Sequence, residues 1–157
     1  MSPPAASVVA MPVSYQLVID CADADKLAHF WAAALQYVVQ PPPEGFETWD
    51  DWYRSIGVPE DELGVGDDRI EDPNGEGPAI WFQVVPEAKS IKNRWHIDVR
   101  ASEGRKTPLA DRRDKVEAEA TRLVGLGATR VRTISEEGMD HYAVAMLDPE
   151  GNEFDIN

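Results

Sequence analysis

Residues 13–20 alternate, with Tyr15, Leu17 and Ile19 on one side and Ser14, Gln16, Val18 and Asp20 on the other. Period-two alternation in a run rich in β-formers predicts a half-buried strand whose Tyr15/Leu17/Ile19 side faces the core. From Asp23 the period changes. Leu27, Phe30, Trp31, Ala34 and Leu35 recur at helical spacing, and Asp23 is placed to cap that helix. Val38 and Val39 begin a short strand that three prolines end. Residues 46–57 and 59–63 predict two short surface helices, an insertion ahead of a strand around Ile70. Residues 78–86 alternate again, with Ile80, Phe82 and Val84 against Trp81, Gln83 and Val85. After a polar, turn-like stretch at 87–93 the order restarts. A strand at 94–101 sets Arg94, His96 and Asp98 on one face and Trp95 and Ile97 on the core face. A helix follows from Asp111, carrying Val116, Ala120, Leu123 and Val124 and stopping at Gly127. Residues 128–134, 141–147 and 153–157 supply three more strands. The order is β-α-β-β-β, written twice.

Each half also contains Asp-Pro-x-Gly, at 72–75 and 148–151, and Gln16 and His96 precede these motifs by nearly equal lengths. Proline fixes φ and glycine takes the left-handed position, so each motif predicts the same turn between the third and fourth strands of its half. Matching element order on both sides of the motif points to an internal duplication. The expected domain map has a disordered leader at 1–11 and a domain at 12–157. Within it, module one spans 12–86 with a helical insert at 44–66, and module two spans 92–157.

Composition narrows the function. The formal charge of −14 opposes binding to a phosphate backbone, so nucleic acid is not an expected partner. No apolar run reaches bilayer length, and the first residues lack a basic signal-peptide start, which predicts a cytoplasmic protein with no membrane association. The single cysteine, Cys21, excludes an internal disulfide and a four-cysteine zinc site. Of the three histidines, His29 falls inside the first helix and His141 at a strand start, where packing or surface roles are expected. Trp31 and Trp95 are expected in the core.

With the duplication in view, "HFWAAAL", "GFETW", "KNRWHIDVRA" and "DPEGNEF" resemble segments of glyoxalase-like domain proteins in the vicinal oxygen chelate superfamily. That superfamily includes glyoxalase I, bleomycin-resistance proteins and extradiol dioxygenases. The resemblance runs from about residue 12 to the end. It implies an α+β fold in which two βαβββ modules form a curled mixed sheet, with helices on the convex side and a pocket on the concave side. It also implies a homodimer and a small-molecule ligand. Metal-binding members place ligands on the first and fourth strands of each module. Carried over by position, those places fall on Gln16 and His96 and, matching Phe82 with Phe154, on Gln83 and Asp155.

A divalent Zn, Ni or Mn ion accepts imidazole nitrogen and carboxylate oxygen, which His96 and Asp155 supply, and both are candidate catalytic residues. Gln83 is an amide where metal-binding glyoxalases carry a carboxylate, so one charge that would offset desolvation of a dication is missing. Two readings follow. In one the protein is a metal-assisted lyase or isomerase acting on a small carbonyl compound. In the other it is a metal-free sequestering protein of the bleomycin-resistance type, holding an antibiotic-like molecule. Trp81 shares the Gln83 face, Arg94 and Asp98 share the His96 face, and Trp49 and Trp52 sit on the insert. These five residues are the expected substrate pocket, and their aromatic content predicts a planar ligand.

Overall fold

The computed structural model describes residues 13–157, so the leader expected at 1–11 lies outside the described residues. Two four-stranded sheets carry the chain. In the first half, β1 (Gln16–Cys21), α1 (Ala24–Leu35), β2 (Val38–Val39), β3 (Arg69–Glu71) and β4 (Ala79–Val84) assemble in the order β1-β4-β3-β2. In the second, β5 (Asp98–Val99), α3 (Leu109–Gly125), β6 (Thr129–Ile134), β7 (Ala143–Leu147) and β8 (Glu153–Ile156) take the order β5-β8-β7-β6. Between β2 and β3 stand the expected insert helix α2 (Trp49–Ser55) and a 3-10 turn at Glu60–Glu62. No helix among the described residues is long and apolar enough to cross a membrane.

In each half the first strand runs parallel to the last, which requires the helical crossover that α1 and α3 provide. Asp23 caps α1 by accepting from the Lys26 backbone N–H at 3.0 Å, as its place in the sequence predicts. The helix ends at Gln36, whose φ of 58° is left-handed. One face of each sheet packs on its helix. Ile70, Ile80 and Phe82 are buried there in the first half, and Val144, Met146, Phe154 and Ile156 in the second.

The repeated Asp-Pro-x-Gly motifs build matching turns. Asp72 accepts backbone N–H groups from Asn74, Glu76 and Gly77, and Asp148 accepts those of Glu150 and Asn152. Gly75 and Gly151 close the turns at φ of 69° and 86°. These donors hold the Asp72 carboxyl below its ordinary range, the Asn74 N–H contributing most.

Module two grips α1 by both ends. Glu150 accepts from the Ala22 N–H at 2.8 Å and the Asp23 N–H at 2.6 Å, at the start of the helix. Arg122 of α3 donates to the Ala33 and Ala34 carbonyls at 3.0 and 2.9 Å, at its end. Anion at the N-terminus and cation at the C-terminus both complement the helix dipole. Between them Trp31 packs edge-on against Phe154, with ring centroids 5.1 Å apart, and its indole N–H donates to Asp148 at 3.2 Å.

Two expectations for the fifth strand need correction. Its ladder is limited to Asp98 and Val99 rather than running from Arg94. The Ile97 carbonyl still accepts from the Asp155 N–H, but residues 94–96 leave the sheet edge. Released from the pleat, Trp95 does not reach the core and is 75% exposed. Trp31 is core, at 2% exposed.

Candidate metal centre

The face of the second sheet opposite its buried Phe154 and Ile156 carries a convergent donor set. Asp98 and Asp155 are register partners on the parallel strands β5 and β8. His96 lies just ahead of β5, outside the ladder, and turns its ring toward this pair. Its Nε2 lies 3.3 Å from Asp98 Oδ1 and 3.4 Å from Asp155 Oδ2, and the three donor atoms are all within 4.8 Å of one another. Asn157 donates to the far oxygen of Asp98 at 2.8 Å and fixes that carboxylate. Asp155 is the less exposed of the pair, at 26% against 49%.

The residues fit a divalent metal. An ion that holds nitrogen and oxygen donors at 2.0–2.2 Å keeps them about 3.0–3.5 Å from each other, which is the spacing of His96 from each aspartate. Two carboxylates also match the charge of a dication.

Of the four expected metal ligands, His96 and Asp155 are thus brought together, and Asp98, expected in the substrate pocket, joins them. Gln16 and Gln83 lie on the other sheet, at the start of β1 and near the end of β4. Strand register explains the difference. β1 places Asp20 opposite Gln83 and Ile19 opposite Phe82, while β5 places Asp98 opposite Asp155. If Phe82 and Phe154 are equivalent, Asp20 corresponds to Asp98, Val18 to His96, and Gln16 to Arg94. Module one therefore presents Val18, Asp20 and Gln83 where module two presents His96, Asp98 and Asp155.

A hollow of about 1050 Å³ lies between β1 and residues 93–97, the stretch that leads into β5. His96, Arg94, Trp95, Leu17, Ile19, Trp31 and Phe154 line it, whereas Gln16, Gln83, Asp98 and Asp155 do not border it. Cys21 also lines it but is no nucleophile. Burial, reinforced by Glu150, pushes its thiol up to about 12, where thiolate is scarce at neutral pH. His29 is exposed and stands near Asp25 and Asp67.

The expected pocket tryptophans gather on the first sheet. Trp49 is buried and donates to the Gln40 carbonyl at 3.0 Å, and Trp52 packs edge-on against it with ring centroids 5.5 Å apart. Trp81 donates to Asp68 Oδ2 at 3.0 Å, which also accepts from the Tyr53 hydroxyl at 3.1 Å. Burial, and then the Asp68 carboxylate, raises the Tyr53 hydroxyl above its ordinary pKa. Arg69 lies between Trp49 and Trp81, its guanidinium carbon 4.5 and 5.4 Å from their ring centres. Sequence reading missed Arg69 and Asp68. The available signal was the density of aromatic residues at 49–53 with no cation assigned to them.

Comparison with known proteins follows the same architecture. The family model described as glyoxalase-like domain matches residues 16–157. No curated protein matches the sequence. A glyoxalase/bleomycin resistance protein/dioxygenase family enzyme from Burkholderia phytofirmans PsJN superposes with a TM-score of 0.55 at 17% identity, covering 90% of this chain and 94% of its own. A mutant of the fosfomycin resistance protein FosX from Listeria monocytogenes, complexed with Mn(II) and 1S,2S-dihydroxypropylphosphonic acid, gives 0.59 at 9% identity, covering 94% and 90%. The oxidase ChaP-H2 gives 0.50 at 14% identity, covering 94% and 93%. At these identities the solved structures speak for the fold alone, and the match across nearly the whole described chain speaks for the family. The chain belongs to the glyoxalase-like domain family, within the vicinal oxygen chelate superfamily.

Proposed function

We propose that the protein is a metal-assisted lyase or isomerase of glyoxalase type, acting on a small carbonyl compound at His96, Asp98 and Asp155. The observation that carries this reading is the approach of two aspartates to one partly exposed histidine nitrogen. The Mn(II) bound by the FosX relative supports a metal in this fold. When bound, a divalent ion supplies Lewis acidity to a carbonyl oxygen. Asp98, tied down by Asn157, is the fixed ligand. Asp155 Oδ1 makes no hydrogen bond among the described residues, so Asp155 has an oxygen free to take a proton from a carbon next to the carbonyl. His96 offers Nε2 to the ion and orients between the two carboxylates.

The alternative is a metal-free binding and sequestering protein. One observation favours it: in the register-matched positions, module one carries Val18 and the Gln83 amide in place of an imidazole and a carboxylate. Metal analysis of protein purified without chelator separates the readings. About one divalent ion per chain, lost in His96→Ala and in Asp155→Ala, is the result expected of the enzyme. Metal-free protein that fails to take up Zn, Ni or Mn would refute it.

We further infer a homodimer. Strands β1 and β5 each lie at an edge of their sheet, and β1 and the residues just ahead of β5, 93–97, border the same hollow. Around these edges Val13, Tyr15, Ile91 and Trp95 are 73–90% exposed. Unpaired edges flanked by exposed apolar side chains favour cover by a second copy.

A further inference from the structure

The aromatic cluster on the first sheet bears on ligand charge. Aromatic faces attract cations, so Trp49, Trp52, Tyr53 and Trp81 would suit a flat organic cation if their faces were open. They are not open, because Arg69 fills the space between Trp49 and Trp81. What this cluster presents outward is a guanidinium.

The Arg69 side chain is 21% exposed and makes no hydrogen bond of normal geometry among the described residues. Asp68 Oδ1 is its nearest carboxylate oxygen, 3.8 Å from Nε, and the Tyr53 hydroxyl adjoins the same group. Among the described residues, that Asp68 oxygen is the buried side-chain polar atom left without a partner. No Arg69 nitrogen is among such enclosed atoms, so its donors without a partner reach solvent. Asp68 thus stands beside Nε, held from its other oxygen by Trp81 and Tyr53, and is not within hydrogen-bond distance of the guanidinium. A planar fork of unspent donors, kept flat by two indole rings, is suited to a carboxylate or similar oxyanion.

We propose that Arg69 is an oxyanion-binding residue, and that module one recognises the anionic group of a small flat molecule rather than an organic cation. Trp81, on the neighbouring strand in register with Arg69, supplies the stacking wall. Glu71 shares this face of β3, and Asp68 offsets part of the guanidinium charge, so the affinity is modest and the selectivity comes from the fork. The proposal is independent of the metal centre on the other sheet.

The test uses benzoate and benzylammonium, the same ring with opposite charges, titrated into the full chain after divalent ions have been removed with chelator. Binding is read by ligand-observed saturation-transfer NMR. Benzoate is expected to bind and benzylammonium not. Arg69→Gln is expected to weaken benzoate roughly ten- to hundredfold, the range for a lost charged hydrogen bond. Arg69→Lys keeps the charge without the fork and is expected to fall between, which maintains the test if the glutamine variant does not fold. His96→Ala should leave benzoate binding unchanged, separating this site from the metal centre. Preference for benzylammonium, equal benzoate affinity in Arg69→Gln or Arg69→Lys, or loss of benzoate in His96→Ala would overturn the proposal.

Discussion

Removing the Glu150 carboxylate tests how module two holds α1. In Glu150→Ala the Ala22 and Asp23 N–H groups lose acceptors at 2.8 and 2.6 Å, and the helix loses an anion at its positive end. Hydrogen bonds to a charged group contribute about 1.5–3 kcal/mol when shielded, but water can replace the carboxylate at this partly exposed turn. A reduced value of about 1–2 kcal/mol for the pair, with about 0.3–1 for the dipole, gives a loss of roughly 1.5–3 kcal/mol. For a domain of this size that lowers Tm by roughly 3–10 °C. Glu150→Gln keeps one acceptor and no charge, so about half the loss is expected. Calorimetry and urea unfolding measure both variants, with the urea slope checking that the transition keeps its cooperativity. A Glu150→Ala protein within 1 °C of wild type would refute the idea that this carboxylate secures the helix start.

Two further outcomes are expected. Hydrogen bonds from Arg130, first, and then Tyr142 hold the Glu117 carboxyl down at about 2. Because the folded pKa is depressed, its stabilisation is present above the ordinary glutamate range, about 4.3, and is lost as pH falls toward 2. Glu117→Gln should therefore flatten the acid limb of the stability curve between about pH 5 and pH 2, and an unchanged limb would refute the assignment. Sedimentation at micromolar concentration should give a dimer for wild type and a monomer for Trp95→Asp; a monomeric wild type would refute the proposed cover of β1 and β5.

Much of the fold is legible in residue order because local and global signals agree. The α1 stripe, its Asp23 cap and the two Asp-Pro-x-Gly turns each have one reasonable structural solution. Strand parity likewise places Phe82 and Phe154 in the core and sets Gln83 and Asp155 on the opposite face. The site is less legible for a specific reason. The duplicated halves differ in the stretch from the turn to the core phenylalanine, Asp72 to Phe82 against Asp148 to Phe154. The resemblance equates Gln16 with His96, whereas pairing to β4 and β8 moves the match by two residues. Trp95 was misplaced because alternation assumes an unbroken strand, and residues 94–96 leave the ladder. The Arg69 cluster depends on how the insert folds back onto β3 and β4, a contact that no local period encodes.

The grip on α1 makes the two halves interdependent. Cut apart, the first half would turn the large rings of Phe30 and Trp31 to water, and the second would expose Phe154 and leave the Asp148 carboxylate without its indole donor. The repeat is duplicated in sequence but shared in cohesion, so neither copy can drift, be exchanged or be excised without the other registering the loss.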